Sequence, residues 1–137
     1  MIVIILLIFI FCLYHYESFN TTLTPIYYKK NKFNRGVYAG RKIKKNEVIE
    51  ISPTIFIESI TNIPGILIDY IFNHNEKYYM AFGCGSMFNH SDKPNVLWKF
   101  TKDNNIKFTA NKDINKNTEL TINYGKPYWK ARKKIKN

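Results

Sequence analysis

Apolar positions along the chain fall in short runs broken by polar turns, and only the start departs from that pattern. Ile2 to Leu13 is apolar without interruption, "IVIILLIFIFCL", and Tyr14, His15 and Tyr16 follow it. Tyrosine and histidine suit a membrane interface. The run is shorter than the roughly 20 residues that span a bilayer, and it lies within the about 7–15 residues of a signal peptide's apolar region. No Lys or Arg precedes it, and no small-residue cleavage site comes before Asn20. Three readings follow for residues 1–16: an uncleaved membrane anchor, a start placed too early, and a cleaved signal.

Beyond this segment the pattern predicts β structure. Strands are expected at Ile26–Tyr28, Val37–Ala39, Val48–Ile51 and Thr54–Ile57, with a turn at Lys45-Asn46. Pro64-Gly65 breaks the chain. "ILIDYIF" (66–72) carries apolar residues on several faces and is the best short internal helix. Tyr78–Phe82 is apolar throughout, as in a buried strand. Leu97–Phe100 and Ile106–Ala110 flank "TKDNN", a hairpin loop with Asp and Asn turn chemistry. Leu120–Tyr124 alternates and ends at Gly125, and Pro127 marks a helix start. Many short strands joined by irregular loops exclude a helical bundle and a doubly wound sheet. The fold class is therefore mainly β, of the α+β kind.

The chain has 137 residues, which suits one domain with a real core and no need of disulfides. Its net charge is +11, from 21 Lys+Arg against 10 Asp+Glu. Such a surface attracts nucleic acid, anionic lipid or acidic protein faces. Only Arg35, Arg41 and Arg132 are arginines, and Asn and Ile are abundant, so an AT-rich coding bias explains much of the charge. Cys12 and Cys84 are too few for a zinc cluster, and no metal site is expected.

Three stretches carry candidate chemistry. "NRGVYAGRKI" (34–43) sets Gly36 before a β-branched strand, where a bare backbone can approach a ligand. The alternative is a tight turn into a strand. "GSMFNHSDKPN" (85–95) places polar Asn-His-Ser after an apolar run. Asn89-His90-Ser91 is also a glycosylation acceptor, as is Asn20-Thr21-Thr22, which keeps open a secreted or membrane glycoprotein. A Cys84/His90 nucleophilic pair is conceivable and has no specific support. "ELTINYGKPYW" (119–129) puts Tyr124 at the end of an apolar strand, where a core tyrosine with a satisfied hydroxyl is the simplest reading.

Taken in order, the three stretches resemble the signature of SET-domain protein-lysine methyltransferases. "NRGVYAGRKIKKNEVI" resembles the first motif, "GSMFNHSDKPN" the Asn-His-Ser segment with its trailing Pro-Asn, and "ELTINYG" the last strand with its Tyr-Gly. The resemblance covers roughly Pro25 to Gly125 and is closest to the minimal SET proteins of large DNA viruses. It implies a β-clip of small curved sheets with a knot-like core, and three regions: the hydrophobic segment 1–16, a SET domain at 24–125, and a basic cap or tail at 126–137.

It also implies S-adenosyl-L-methionine as cofactor and a protein lysine as substrate, entering from opposite faces. By resemblance, Asn34, Arg35, Gly36, Val37, Asn89, His90, Tyr124 and Trp129 would bind the cofactor, with Trp129 covering the adenine. Tyr124 would be the catalytic residue, and Trp98, Ile122 and Tyr128 would line the substrate channel. Asn34 departs from the usual first glycine, and asparagine tolerates positive φ. Ile122 and Trp98 stand where other members differ, which leaves mono-, di- or trimethylation open. With no cysteine-rich cap, residues 127–134 must close the site.

The leading function is methylation of a protein lysine, in a histone tail or a non-histone protein. A degenerate SET module that binds peptide or cofactor without turnover is the alternative, beside the glycoprotein reading. Further expectations are DNA contact through the basic C-terminus, membrane attachment through residues 1–16, and a homodimer. The location is then membrane-associated, or the host nucleus and chromatin.

Overall fold

A computed structural model describes residues 26–30 and 35–135, with residues 62 and 131–135 by backbone only. The segment 1–16, Asn34 and the Arg132 side chain, all named above, lie outside what is described. Three small sheets make the fold. The first has the order β1 (Ile26–Lys29), β2 (Gly36–Ala39), β10 (Glu119–Ile122), β7 (Asn89–His90). The second is β3 (Val48–Ser52), β9 (Ile106–Ala110), β8 (Val96–Phe100). The third is β4 (Thr54–Ile57), β6 (Lys77–Ala81), β5 (Ile71–His74). One α-helix, α1 (Lys126–Ile135), follows the last strand. This is the mainly β architecture of small sheets that the sequence led us to expect.

Alternation builds the second sheet. In β9, Ile106, Phe108 and Ala110 point inward and are buried, while Lys107 and Thr109 face out. The hairpin to β8 pairs Trp98 with Phe108. Its loop closes with Thr101 N–H donating to Asn105 O at 2.8 Å, and Asn104 takes the left-handed conformation (φ 58°) that asparagine tolerates. The core joins Val37, Ile43, Ala81, Phe88, Val96, Phe108, Leu120 and Ile122, and so draws on all three sheets and the loops between them. An isolated bridge pairs Ile43 with Ile114.

The short helix expected at 66–72 is present as a 3-10 helix over Gly65–Tyr70, and the chain enters β5 at Ile71, so the helix ends before the last two residues of the run. Asn75 and Glu76 both adopt positive φ (51° and 62°), the geometry of a tight hairpin turn, so β5 folds back on β6. Strand pairing thus claims the last two residues of the apolar run, Ile71 and Phe72, and no residue of the 3-10 helix is buried. The strand expected at Tyr78–Phe82 is also buried on one face only. Tyr79 and Ala81 are inside, whereas Phe82 lies beyond the strand and is 49% exposed.

β7 runs parallel to β10, with Asn89 opposite Thr121 and His90 opposite Ile122. Asn95 locks the arrangement from below. Its Nδ2 donates to Glu119 O at 2.7 Å and its Oδ1 accepts from Thr121 N–H at 2.8 Å. A buried amide satisfied on both sides fixes register where apolar contact alone would not. Gly85, just upstream, is packed too tightly for any side chain. A Cβ there would sit 2.5 Å from Ser52 Oγ and 2.9 Å from the Cβ of Ala81. Gly85→Ala is expected to destabilise the protein by about 1–3 kcal/mol through overpacking, read from the midpoint of urea unfolding. A midpoint equal to wild type would mean that this loop yields at no cost.

Candidate active site

The parallel pair β7–β10 brings Asn89, His90 and the residues after Ile122 to one end of the sheet. Tyr124 hangs there by both its backbone and its side chain. Its hydroxyl donates to Phe88 O at 2.7 Å, and its N–H donates to His90 Nδ1 at 3.2 Å. An Nδ1 that accepts leaves Nε2 as the protonated nitrogen, which faces Asp92 Oδ1 at 3.2 Å. Asn89 is equally committed. Its Nδ2 donates to Arg35 O at 2.8 Å and to Glu119 Oε1 at 2.7 Å. Both amide protons are thereby used, and Oδ1 is left to accept from a ligand.

Gly125 has φ +81°, and its N–H donates to Asn123 Oδ1 at 2.7 Å. This left-handed residue turns the chain out of β10 into α1. Tyr128 and Trp129 then fold back on the site. Trp129 meets the His90 ring edge-on at 5.0 Å, and Tyr128 packs on Tyr124 at 4.5 Å.

Two cavities meet at Tyr124. One, of about 210 Å³, has aromatic and aliphatic walls from Phe72, Phe88, Trp98, Ile122 and Tyr128. The other, of about 260 Å³, is more polar and contains Arg35, Met87 and Asn89. Tyr70, Ser86, Phe88, Tyr124 and Tyr128 line both. The indole N–H of Trp98 donates to Asn123 O at 2.9 Å, so its one polar group is satisfied and the ring can serve as wall. The arrangement is an apolar cavity and a more polar one that share three tyrosines, with Tyr124 among them.

Residues 34–125 match the SET domain family. The chain belongs to the SET domain family. Over 101 residues it is 40% identical to the "Histone-lysine N-methyltransferase, H3 lysine-37 specific" of Schizosaccharomyces pombe, with 69% of each chain covered. Among solved structures it is similar to a histone methyltransferase candidate of Plasmodium falciparum, at 36% identity and TM-score 0.63, over 74% of this chain and 98% of that one. It also shares its fold with a chain of the ctPRC2 complex with H3K27me3 and H3K27M, at 20% identity and TM-score 0.60, over 76% of this chain and 15% of that one. The SET domain described here is a protein-lysine N-methyltransferase.

Within this SET domain the fold gathers most of the residues singled out in the sequence. Arg35, Asn89 and Tyr124 border the polar cavity, and Trp98, Ile122, Tyr124 and Tyr128 the apolar one. Gly36 and Val37 lie in β2 next to Arg35, and both are buried. His90 and Trp129 pack against Tyr124 rather than lining either cavity. The sequence did not reveal Tyr70, Phe72 or Ser86 as cavity walls. Tyr70 and Phe72 come from the segment between the recognisable motifs, where only an excess of aromatics could have drawn attention, and Ser86 stands in the second motif, ahead of its Asn-His-Ser. Glu119 was missed too, because its role depends on Asn89 standing opposite.

Other readings of these residues do not survive the geometry. A glycan on Asn89 needs the amide nitrogen whose two protons are donated inside the protein. Cys84 and His90 form no pair. Cys84 Sγ shares a hydrogen bond of 2.9 Å with the Tyr28 hydroxyl, and Cys84 N–H donates to Glu50 Oε1 at 2.9 Å. Partial burial, followed by that bond to Cys84, pushes the Tyr28 phenol up to about 12. Burial also raises the Cys84 thiol, so both stay protonated near neutral pH and tie β1 to the loop after β6. Among the described residues there is no cluster of three metal-ligating side chains, and no helix is long and apolar enough to cross a membrane.

Proposed function

We propose that this SET domain methylates a lysine of a histone tail, with S-adenosylmethionine held in the polar cavity and the lysine in the apolar one. The carrying observation is that the two cavities share Tyr124. The SET unit is taken as residues 24–125, with the basic residues 126–137 as its cap. The histone assignment leans on the substrate in the name of the yeast relative. Asp69, an exposed carboxylate that borders both cavities, suits a basic tail.

The residues of the polar cavity fit the cofactor. Asn89 Oδ1 is an acceptor for an ammonium group, and Arg35, whose carbonyl holds the Asn89 amide, borders the same cavity. Trp129 is 43% exposed and has a ring face to offer an adenine. When bound, S-adenosylmethionine supplies an electrophilic sulfonium methyl group.

The protein's own work is to hold and neutralise the amine. Lysine attacks only as the free base, and reaching it at pH 7 costs about 4–5 kcal/mol from a reference pKa near 10.4. The walls of Phe72, Trp98, Ile122 and Tyr128 exclude water and disfavour the ammonium form. Tyr124 gives its proton to Phe88 O, so its oxygen keeps lone pairs for an amine N–H or for polarised methyl hydrogens. With the amine fixed in line, alignment and preorganised dipoles supply the rate. No group in the passage has to act as a strong base.

Calorimetry with S-adenosylhomocysteine, beside transfer of a radiolabelled methyl group to core histones, tests this reading. Wild type should bind and transfer. Asn89→Ala should weaken binding about 10–100-fold, the worth of a hydrogen bond to a charged group. Failure of wild type to bind would refute the cofactor site. Binding with transfer to a lysate protein but to no histone would refute the histone assignment.

A further inference from the structure

We propose that Arg35 is a positioning residue for the lysine passage, and that through Tyr70 it couples the polar cavity to the apolar one. The inference rests on the placement of cofactor and lysine given above. Arg35 sits just before β2 and holds one group on each side. Its carbonyl accepts from Asn89 Nδ2 at 2.8 Å, and its guanidinium donates to the Tyr70 hydroxyl at 2.6 Å. The guanidinium carbon also lies 5.6 Å from the centre of the Tyr70 ring. Tyr70 lines both cavities, whereas Arg35 lines only the polar one.

The chemistry of the pair gives this bridge a direction. Arginine has only donors, so the Tyr70 oxygen accepts, and its own proton remains for a group in the shared space. The segment that carries Tyr70 lies at the surface. No residue of the 3-10 helix Gly65–Tyr70 is buried, and Ile66 is 75% exposed. Ser86 Oγ lies a long 3.4 Å from Tyr70 O, and its one proton goes to Ala81 O at 2.8 Å. A segment with so little buried surface opens at low free energy, and a single charge-assisted bond then weighs heavily on where it rests. A ligand seated against Arg35 and Asn89 narrows the positions open to the guanidinium, and with them those of Tyr70. By linkage, a side chain in the passage must favour the polar-cavity ligand by the same factor.

Hydrogen exchange of the full chain, with and without S-adenosylhomocysteine, reads this directly. In wild type the ligand should slow exchange at residues 88–91, and also at 65–74 by about tenfold, within the usual range of coupling between sites. At ligand concentrations that saturate each variant, Arg35→Met and Tyr70→Phe should each cut the slowing at 65–74 to under about twofold while 88–91 stays protected. Tyr70→Phe keeps the ring and its packing, so it reads the bond even where Arg35→Met disturbs folding. Protection at 88–91 with none at 65–74 in wild type would overturn the coupling and leave the cofactor site standing. Wild-type slowing in Tyr70→Phe would likewise overturn the role of the bond. Absence of protection everywhere would remove the cofactor site and this inference with it.

Discussion

Tyr124→Phe is expected to lower methyl transfer by about 10²–10³-fold, the usual cost of deleting one preorganised polar group at a reacting centre. Cofactor-product binding should stay close to wild type. The substitution removes one oxygen and keeps the ring that packs on Tyr128 at 4.5 Å and on Trp129 at 6.3 Å. The backbone N–H to His90 Nδ1 is also retained, so the strand end should not move. Two things are lost with the oxygen: the donor that satisfies Phe88 O at 2.7 Å, and the acceptor that would steer the incoming amine. Both matter more in the crowded transition state than in the separate complexes, so the loss should appear in kcat. Single-turnover transfer to core histones measures it, with S-adenosylhomocysteine calorimetry as the control. A variant that transfers at the wild-type rate would remove Tyr124 from the reaction.

Phe108→Ala should destabilise the protein by about 3–5 kcal/mol. A domain of this size has only about 5–15 kcal/mol of stability, so the variant should lie near the edge of folding at 37 °C. Phe108 is completely buried and packs on Phe88 at 4.8 Å and on Phe72 at 6.4 Å. Those partners belong to different elements, which makes collapse around a smaller side chain difficult. They also line the apolar cavity, so the passage should slacken and KM for the lysine substrate should rise before stability fails. Denaturant unfolding gives the first effect and steady-state kinetics at low temperature the second. A loss below about 1 kcal/mol would show that the core refills the space without penalty.

Where local pattern and tertiary need agreed, the sequence was readable. β9 alternates cleanly because one face is buried, and its hairpin with β8 is announced by Asp and Asn in the loop. At 66–72 the helix was legible and its end was not, because the apolar residues lack a clean period. The turn that makes Ile71 and Phe72 a strand, Asn75-Glu76, lacks the glycine that usually signals such a hairpin. The same gap hid Tyr70 and Phe72, whose place on the cavity wall depends on β5 folding back on β6. His90 is a subtler case. The resemblance gives its backbone to the cofactor, and its ring nitrogens face the Tyr124 N–H and Asp92 within the protein, a use of the ring that only the fold discloses.

The ordered motifs at 34–43, 85–95 and 119–129 were enough by themselves to indicate the family and most of the residues beside Tyr124. They are local strings with restrictive backbone and side-chain demands, and such demands leave a trace in residue type. Tertiary structure alone decided that two cavities share Tyr124, that Glu119 and Arg35 hold Asn89, and that Arg35 reaches Tyr70. Those contacts join residues 30 to 54 positions apart in the chain. The energy of such a contact depends on distance and orientation in the folded state, and residue order does not encode these in any short pattern.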